Sequence, residues 1–109
     1  MKIIEQTPTK LILQSGFWFF ITTTYIFDKQ LMRLTIQRKN LFGSNETSEP
    51  LNEFSDAQIE VQVGENAQNS YRVALVRTDG KTLPLTLSYT MGRKDKDAAA
   101  SAIRNILRS

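Results

Sequence analysis

Between residues 57 and 89 the chain alternates apolar and polar positions with period two. Ile59, Val61 and Val63 share one side of Ala57 to Val63, and Val73, Leu75 and Arg77 follow one another in Tyr71 to Arg77. Leu83, Leu85 and Leu87 repeat the spacing in Lys81 to Tyr89. Period two is the signature of a strand with one dry face and one wet face. Asp79-Gly80 separates two of these runs, and Asp-Gly in that setting predicts a two-residue type I′ hairpin turn. The polar run Gly64 to Ser70 predicts a loop.

The N-terminal half carries the same pattern with more punctuation. Pro8 interrupts Ile3 to Gln14, which predicts an edge or bent strand whose regular part is Lys10 to Gln14. Ser15-Gly16 predicts a tight turn. Phe17, Phe19, Ile21, Thr23, Tyr25 and Phe27 then share one face, with Trp18, Phe20, Thr22, Thr24 and Ile26 opposite. Asp28-Lys29-Gln30 turns the chain into Leu31 to Lys39, with Met32, Leu34 and Ile36 inward. A turn at Phe42 to Asn45 and a short edge strand around Pro50, Ser48 to Glu53, complete the half.

After Met91 the period changes. Ala99, Ala102, Ile103, Ile106 and Leu107 recur at three and four, one apolar stripe of a helix over about residues 95–108. Asp95 or Asp97 suits its cap, and Arg104 and Arg108 suit its negative C-terminal end. A one-sided helix needs an apolar surface, and the sheet is the only one the pattern offers. The expectation is mainly β: about seven antiparallel strands over residues 3–90, curled or closed to hide one face, with the helix covering it.

At 109 residues the chain is one domain, 1–109, large enough to fold around its own core. It has no Cys and no His, which removes thiol nucleophiles, histidine bases, disulfides and ordinary zinc sites together. Without a base to position a nucleophile no catalytic residue is assigned, and an enzyme, a metal or a cofactor is not expected. The net charge of +3 is small and its cations are scattered, so nucleic acid is not an expected partner. The aromatic run from Phe17 to Phe27 contains no basic residue and reads as core rather than a base-stacking platform. Leu11 to Phe27 is uncharged, but Gln14, Ser15, Gly16 and Thr22 to Thr24 make it a buried β-hairpin rather than a membrane span.

Seven strands followed by a helix is the order of the pleckstrin-homology fold, and local text strengthens the likeness. Ile26 to Ser44 resembles the entry of a bacterial PH-like domain, ending in a Leu-Phe-Gly turn. Pro50 to Glu60 resembles its next turn and strand, and Tyr71 to Val76, Gly80 to Thr86 and Tyr89 to Lys94 resemble the remainder. The chain is similar, over about residues 20–109, to small cyanobacterial membrane-associated proteins carrying such a domain. Those relatives often place one or two transmembrane helices after a short N-terminal strand, where Ser15-Gly16-Phe17 here runs straight on. The resemblance implies a seven-stranded antiparallel barrel or half-barrel capped by the helix.

Two functions are compatible with these residues. One is a cytoplasmic, non-enzymatic module that binds a protein partner or a second copy along a proline-marked edge strand. The other is association with an anionic membrane surface. Trp18 and Phe20 would supply apolar contact there, and Arg93, Lys94 and Lys96, beside the first helical turn, would hold a phosphate or lipid headgroup. Gln14-Ser15-Gly16 lacks the basic residues that eukaryotic PH domains use for phosphoinositides. Arg33, Arg38 and Lys39 belong to the wet face of their strand and would add a weaker attraction.

Overall fold

A computed structural model describes residues 1–18 and 21–109, with Phe17, Trp18 and Ala67 described by their backbone alone. Five strands form a meander: β1 (Lys2–Gln6), β2 (Lys10–Trp18), β3 (Ile21–Asp28), β4 (Arg33–Asn40) and β5 (Gly43–Pro50). After a single 3-10 turn at Leu51–Glu53 come β6 (Phe54–Val63), β7 (Asn69–Arg77) and β8 (Thr82–Pro84), a second antiparallel sheet. The chain ends in α1 (Lys94–Arg108).

Alternation decides which residues are dry. Leu11 and Leu13 of β2, Tyr25 and Phe27 of β3, and Leu34 and Ile36 of β4 all point to one buried side. Phe54, Ala57, Val73 and Leu75 answer from the second sheet. The helix covers this core with Ala99, Ala100, Ala102, Ile103 and Ile106, packing mainly on β6 and also on β1, β2 and β7. Three alanines let the helix axis approach the β6 backbone at the fully buried Ala57. Arg104 fixes the crossing, donating to the Ala57 carbonyl at 2.7 and 3.0 Å and pairing with Asp56 at 3.1 Å.

The structure corrects several expectations. The described residues form two separate sheets of five and three strands, so a closed seven-stranded barrel is not present among them. The strands run out of hydrogen-bonded partners between β5 and β6, and packing of side chains, rather than a continuous ladder, joins the sheets. Residues 3–14 make two paired strands, with Pro8 in the turn between them. Ser15-Gly16 is not a turn: Gly16 lies inside β2 opposite Thr22, and a register shift between Gly16 and Trp18 marks a bulge. The turn at Asp79-Gly80 is not type I′, because only Gly80 takes a positive φ, 90°. Arg77 N–H donates to the Lys81 carbonyl and its own carbonyl accepts from Gly80 N–H, the pattern of a three-residue loop closing on a glycine bulge.

Other differences are local. Met32 is exposed and has a φ of 53°, since the turn that begins at Asp28 extends through it before β4 starts. The strand expected around Pro50 ends there, because β5 begins earlier, at Gly43. Past Pro84 the alternation of Leu85 and Leu87 is not continued as a strand, and a lone bridge from Thr90 to Tyr71 resumes pairing. Helix α1 has no side-chain cap, and Asp95 and Asp97 stand within its first turn instead. Among the described residues no helix is long and apolar enough to cross a membrane.

Candidate functional site

The distinctive surface is the end of the larger sheet where β2–β3 and β4–β5 reverse. Register places the two reversals side by side: Trp18 pairs with Ile21, Thr22 with Lys39, and Asn40 with Gly43. The Leu41-Phe42 tip of the second hairpin is held by Asn40, whose side-chain oxygen accepts from the Phe42 N–H at 2.9 Å. Gly43, at φ 150°, takes the unusual backbone angle needed to re-enter the ladder. This turn therefore projects two large apolar side chains into water, Leu41 at 68% and Phe42 at 98% exposure. Ile21, at 46%, stands beside them.

Charge at this end has one sign. Residues 15–23 and 38–45 contain Arg38 and Lys39 and no carboxylate. Arg38 sits opposite Thr23 and Asn45, one row behind Lys39, and both are exposed. Ile21, Arg38, Lys39 and Phe42 line a shallow groove of about 360 Å³ across the two hairpins. The first acid along β5, Glu46, is further from the tip, opposite Gln37.

Behind this end lies a cavity of about 530 Å³ between the sheets. Tyr25, Val73 and Leu85, all buried, form part of its wall, and Ile21, Arg38 and Leu87 are exposed members of the same wall. The Tyr25 hydroxyl donates to the Leu85 carbonyl and lies 3.4 Å from the Ser15 hydroxyl. Burial pushes its pKa above the ordinary tyrosine value, with the Ser15 hydrogen bond and the Arg38 charge opposing that rise. Arg72 reaches the wall as well, paired with Glu60 at 2.7 Å and lying 4.2 Å over the Tyr89 ring.

The residues expected from sequence are dispersed. Arg93 is spent on Asp97 at 3.4 Å and on the Tyr71 ring at 5.7 Å. Lys94 is exposed at the first position of the helix. Lys96 is 5% exposed, turned inward onto the Met91 carbonyl at 3.0 Å and Asp95 at 3.2 Å. Asp95 also accepts from the amino group of Met1 at 2.9 Å. Burial alone would raise the Asp95 pKa, yet the hydrogen bonds and charges of that amino group and Lys96 outweigh it, and the carboxyl ends below its ordinary value. Trp18 is placed by its backbone at the end of β2, and Phe20 lies outside the described residues.

Sequence reasoning assigned Arg38 and Lys39 to a wet face and Phe42 to a turn without joining them. The available signal was Leu41-Phe42 itself, since two large apolar residues in a two-residue turn have no core to enter. Among the described residues no cluster of acidic side chains is arranged to hold a metal. Neither a family model nor a curated protein matches the chain.

Proposed function

We propose that this chain is a non-enzymatic, PH-like interaction module that seats the hairpin end of its larger sheet on an anionic membrane surface. Setting β1 aside, seven strands in two antiparallel sheets precede one helix that covers their shared core, which supports the likeness in fold. The observation that carries the function is the tip: Leu41 and Phe42 exposed beside Arg38 and Lys39, with no acid among residues 38–45. Apolar residues enter the headgroup boundary while adjacent cations meet anionic lipid, each cation contributing about 1 kcal/mol near such a surface. The dispersal of Arg93 and Lys96 into intramolecular contacts favours this end over the helix start as the contact.

Co-sedimentation with phosphatidylglycerol and phosphatidylcholine vesicles tests the proposal. Binding to the anionic vesicles, weakened by salt and by Arg38→Ala with Lys39→Ala, is expected. Equal retention on both vesicle types, or none on either, contradicts it.

A second reading is favoured by β5, an eight-residue strand at the outer edge of its sheet with an unbroken register to β4. Such an edge accepts an added strand from a protein partner or another copy. Concentration-dependent self-association in sedimentation equilibrium, abolished by Glu46→Pro, is the outcome that supports it.

A further inference from the structure

The cavity between the sheets combines a dry floor with one uncompensated charge near its rim. Its volume, about 530 Å³, falls within the range of small-molecule sites, roughly 300–1,000 Å³. Tyr25, Val73 and Leu85 are each at most 2% exposed, so the floor is closed from solvent. Of the other cations in its wall, Arg72 is paired with Glu60 at 2.7 Å, while Lys96 and the Met1 amino group share Asp95 at 3.2 and 2.9 Å. Arg38 has no ion-pair partner among the described residues, and it is exposed where the wall reaches the hairpin end. The wall is therefore net positive and its cation without a carboxylate partner sits at the opening, while Ile21 and Leu87 offer accessible hydrocarbon and Ser15 and Thr23 offer hydroxyls.

We propose that this cavity binds a single-chain anionic amphiphile, a long-chain carboxylate, with its chain between the sheets and its head on Arg38. The division of polarity fits that class in both parts. An aliphatic chain gains about 0.8 kcal/mol for each methylene taken out of water, and a guanidinium meets a carboxylate through two parallel hydrogen bonds. The inference goes beyond membrane-surface binding and does not need a bilayer.

The test is titration of the full chain with cis-parinaric acid below its micellar concentration, without vesicles, followed by displacement with oleate and with oleyl alcohol. Saturable one-to-one binding is expected. Arg38→Gln weakens oleate about tenfold, as expected for loss of a charge-assisted contact, and leaves oleyl alcohol unchanged; Arg38→Lys restores most of the loss. Thr23→Phe fills the cavity from β3, a strand position suited to an aromatic, and abolishes both ligands while circular dichroism stays native. Leu41→Ser with Phe42→Ser removes vesicle binding and leaves parinarate binding intact, which separates this site from the membrane contact. No saturable binding by the folded wild type, or equal weakening of acid and alcohol by Arg38→Gln, overturns the proposal.

Discussion

Replacing Leu41 and Phe42 together by serine removes the apolar end of the β4–β5 hairpin and touches nothing in the core. Leu41 is 68% and Phe42 98% exposed, so the change in folding stability is expected within about 0.5 kcal/mol. The effect on a bilayer is much larger. Complete burial of a leucine or phenylalanine side chain contributes about 1.5–3 kcal/mol, and seating at the headgroup boundary realises about half of that. The pair therefore contributes about 1.5–3 kcal/mol, and its loss lowers the partition coefficient about 10- to 150-fold. Arg38 and Lys39 contribute about 2 kcal/mol between them. Raising salt from about 0.1 M to about 1 M shortens the screening length from about 10 Å to about 3 Å and removes most of that share. Vesicle sedimentation at the two salt concentrations, with wild type and double variant, resolves both terms. The apolar loss persists at high salt, whereas the electrostatic loss does not. A variant that binds anionic vesicles like the wild type refutes the reasoning.

Four further outcomes follow from contacts away from the hairpin end. Asp56 has a carboxyl held below its ordinary value first by the Ala57 N–H, against a smaller opposing effect of burial, and then by Arg104 and Arg108; Asp95 is depressed by the amino group of Met1 and Lys96 against burial. In both, the unfolded chain binds more protons than the folded one near the ordinary carboxylate range, so stability is present above about pH 4 and is lost as pH falls through the folded values. Urea midpoints should drop as pH falls below about 4, and less steeply in Asp56→Asn with Asp95→Asn. Tyr25→Phe leaves the buried Leu85 carbonyl without its donor and should cost about 1–2 kcal/mol in chemical denaturation. The Tyr25 pKa is raised, so the folded chain keeps that proton longer and alkaline stability falls above about pH 10. In a spectrophotometric titration, one of the three tyrosines should then ionise only as the protein unfolds. Ile103→Ala empties a fully buried position between helix and sheets and should cost about 2–5 kcal/mol, read as a lower thermal midpoint.

The periodic segments were legible because their chemistry is local. Alternation from Leu34 to Ile36 and from Val73 to Leu75 states which face is dry, and the Ala99 to Ile106 stripe states that the helix is one-sided. What the pattern does not carry is how sheet edges meet, since closure depends on partners far apart in the chain. Hence two sheets, not a closed barrel, stand where a barrel or half-barrel was expected. Gly16 reads as a turn in isolation, yet a glycine beside a bulge inside a strand has the same local text. Likewise Asp79-Gly80 suits a two-residue loop and a three-residue loop with a glycine bulge alike, and the flanking register decides between them. Lys96 reads in the sequence as a headgroup-binding cation beside Arg93 and Lys94. Its inward turn rests on the Met91 carbonyl and on Asp95, contacts that only the folded helix start assembles. The cavity behind the candidate site joins Arg38 from β4 to Leu85 and Lys96 from the C-terminal third, a convergence no single stretch of sequence displays.

Because the natural chain contains no cysteine, a single thiol can be placed anywhere without competition. Phe42→Cys and Leu31→Cys, each carrying an environment-sensitive fluorophore, put one probe at the hairpin end and one at the opposite end of the same sheet. With anionic vesicles the emission from position 42 should shift to the blue and become inaccessible to aqueous quencher, while position 31 stays unchanged. A probe at 42 that remains in water, or equal shifts at both ends, contradicts the assignment of the membrane-facing surface.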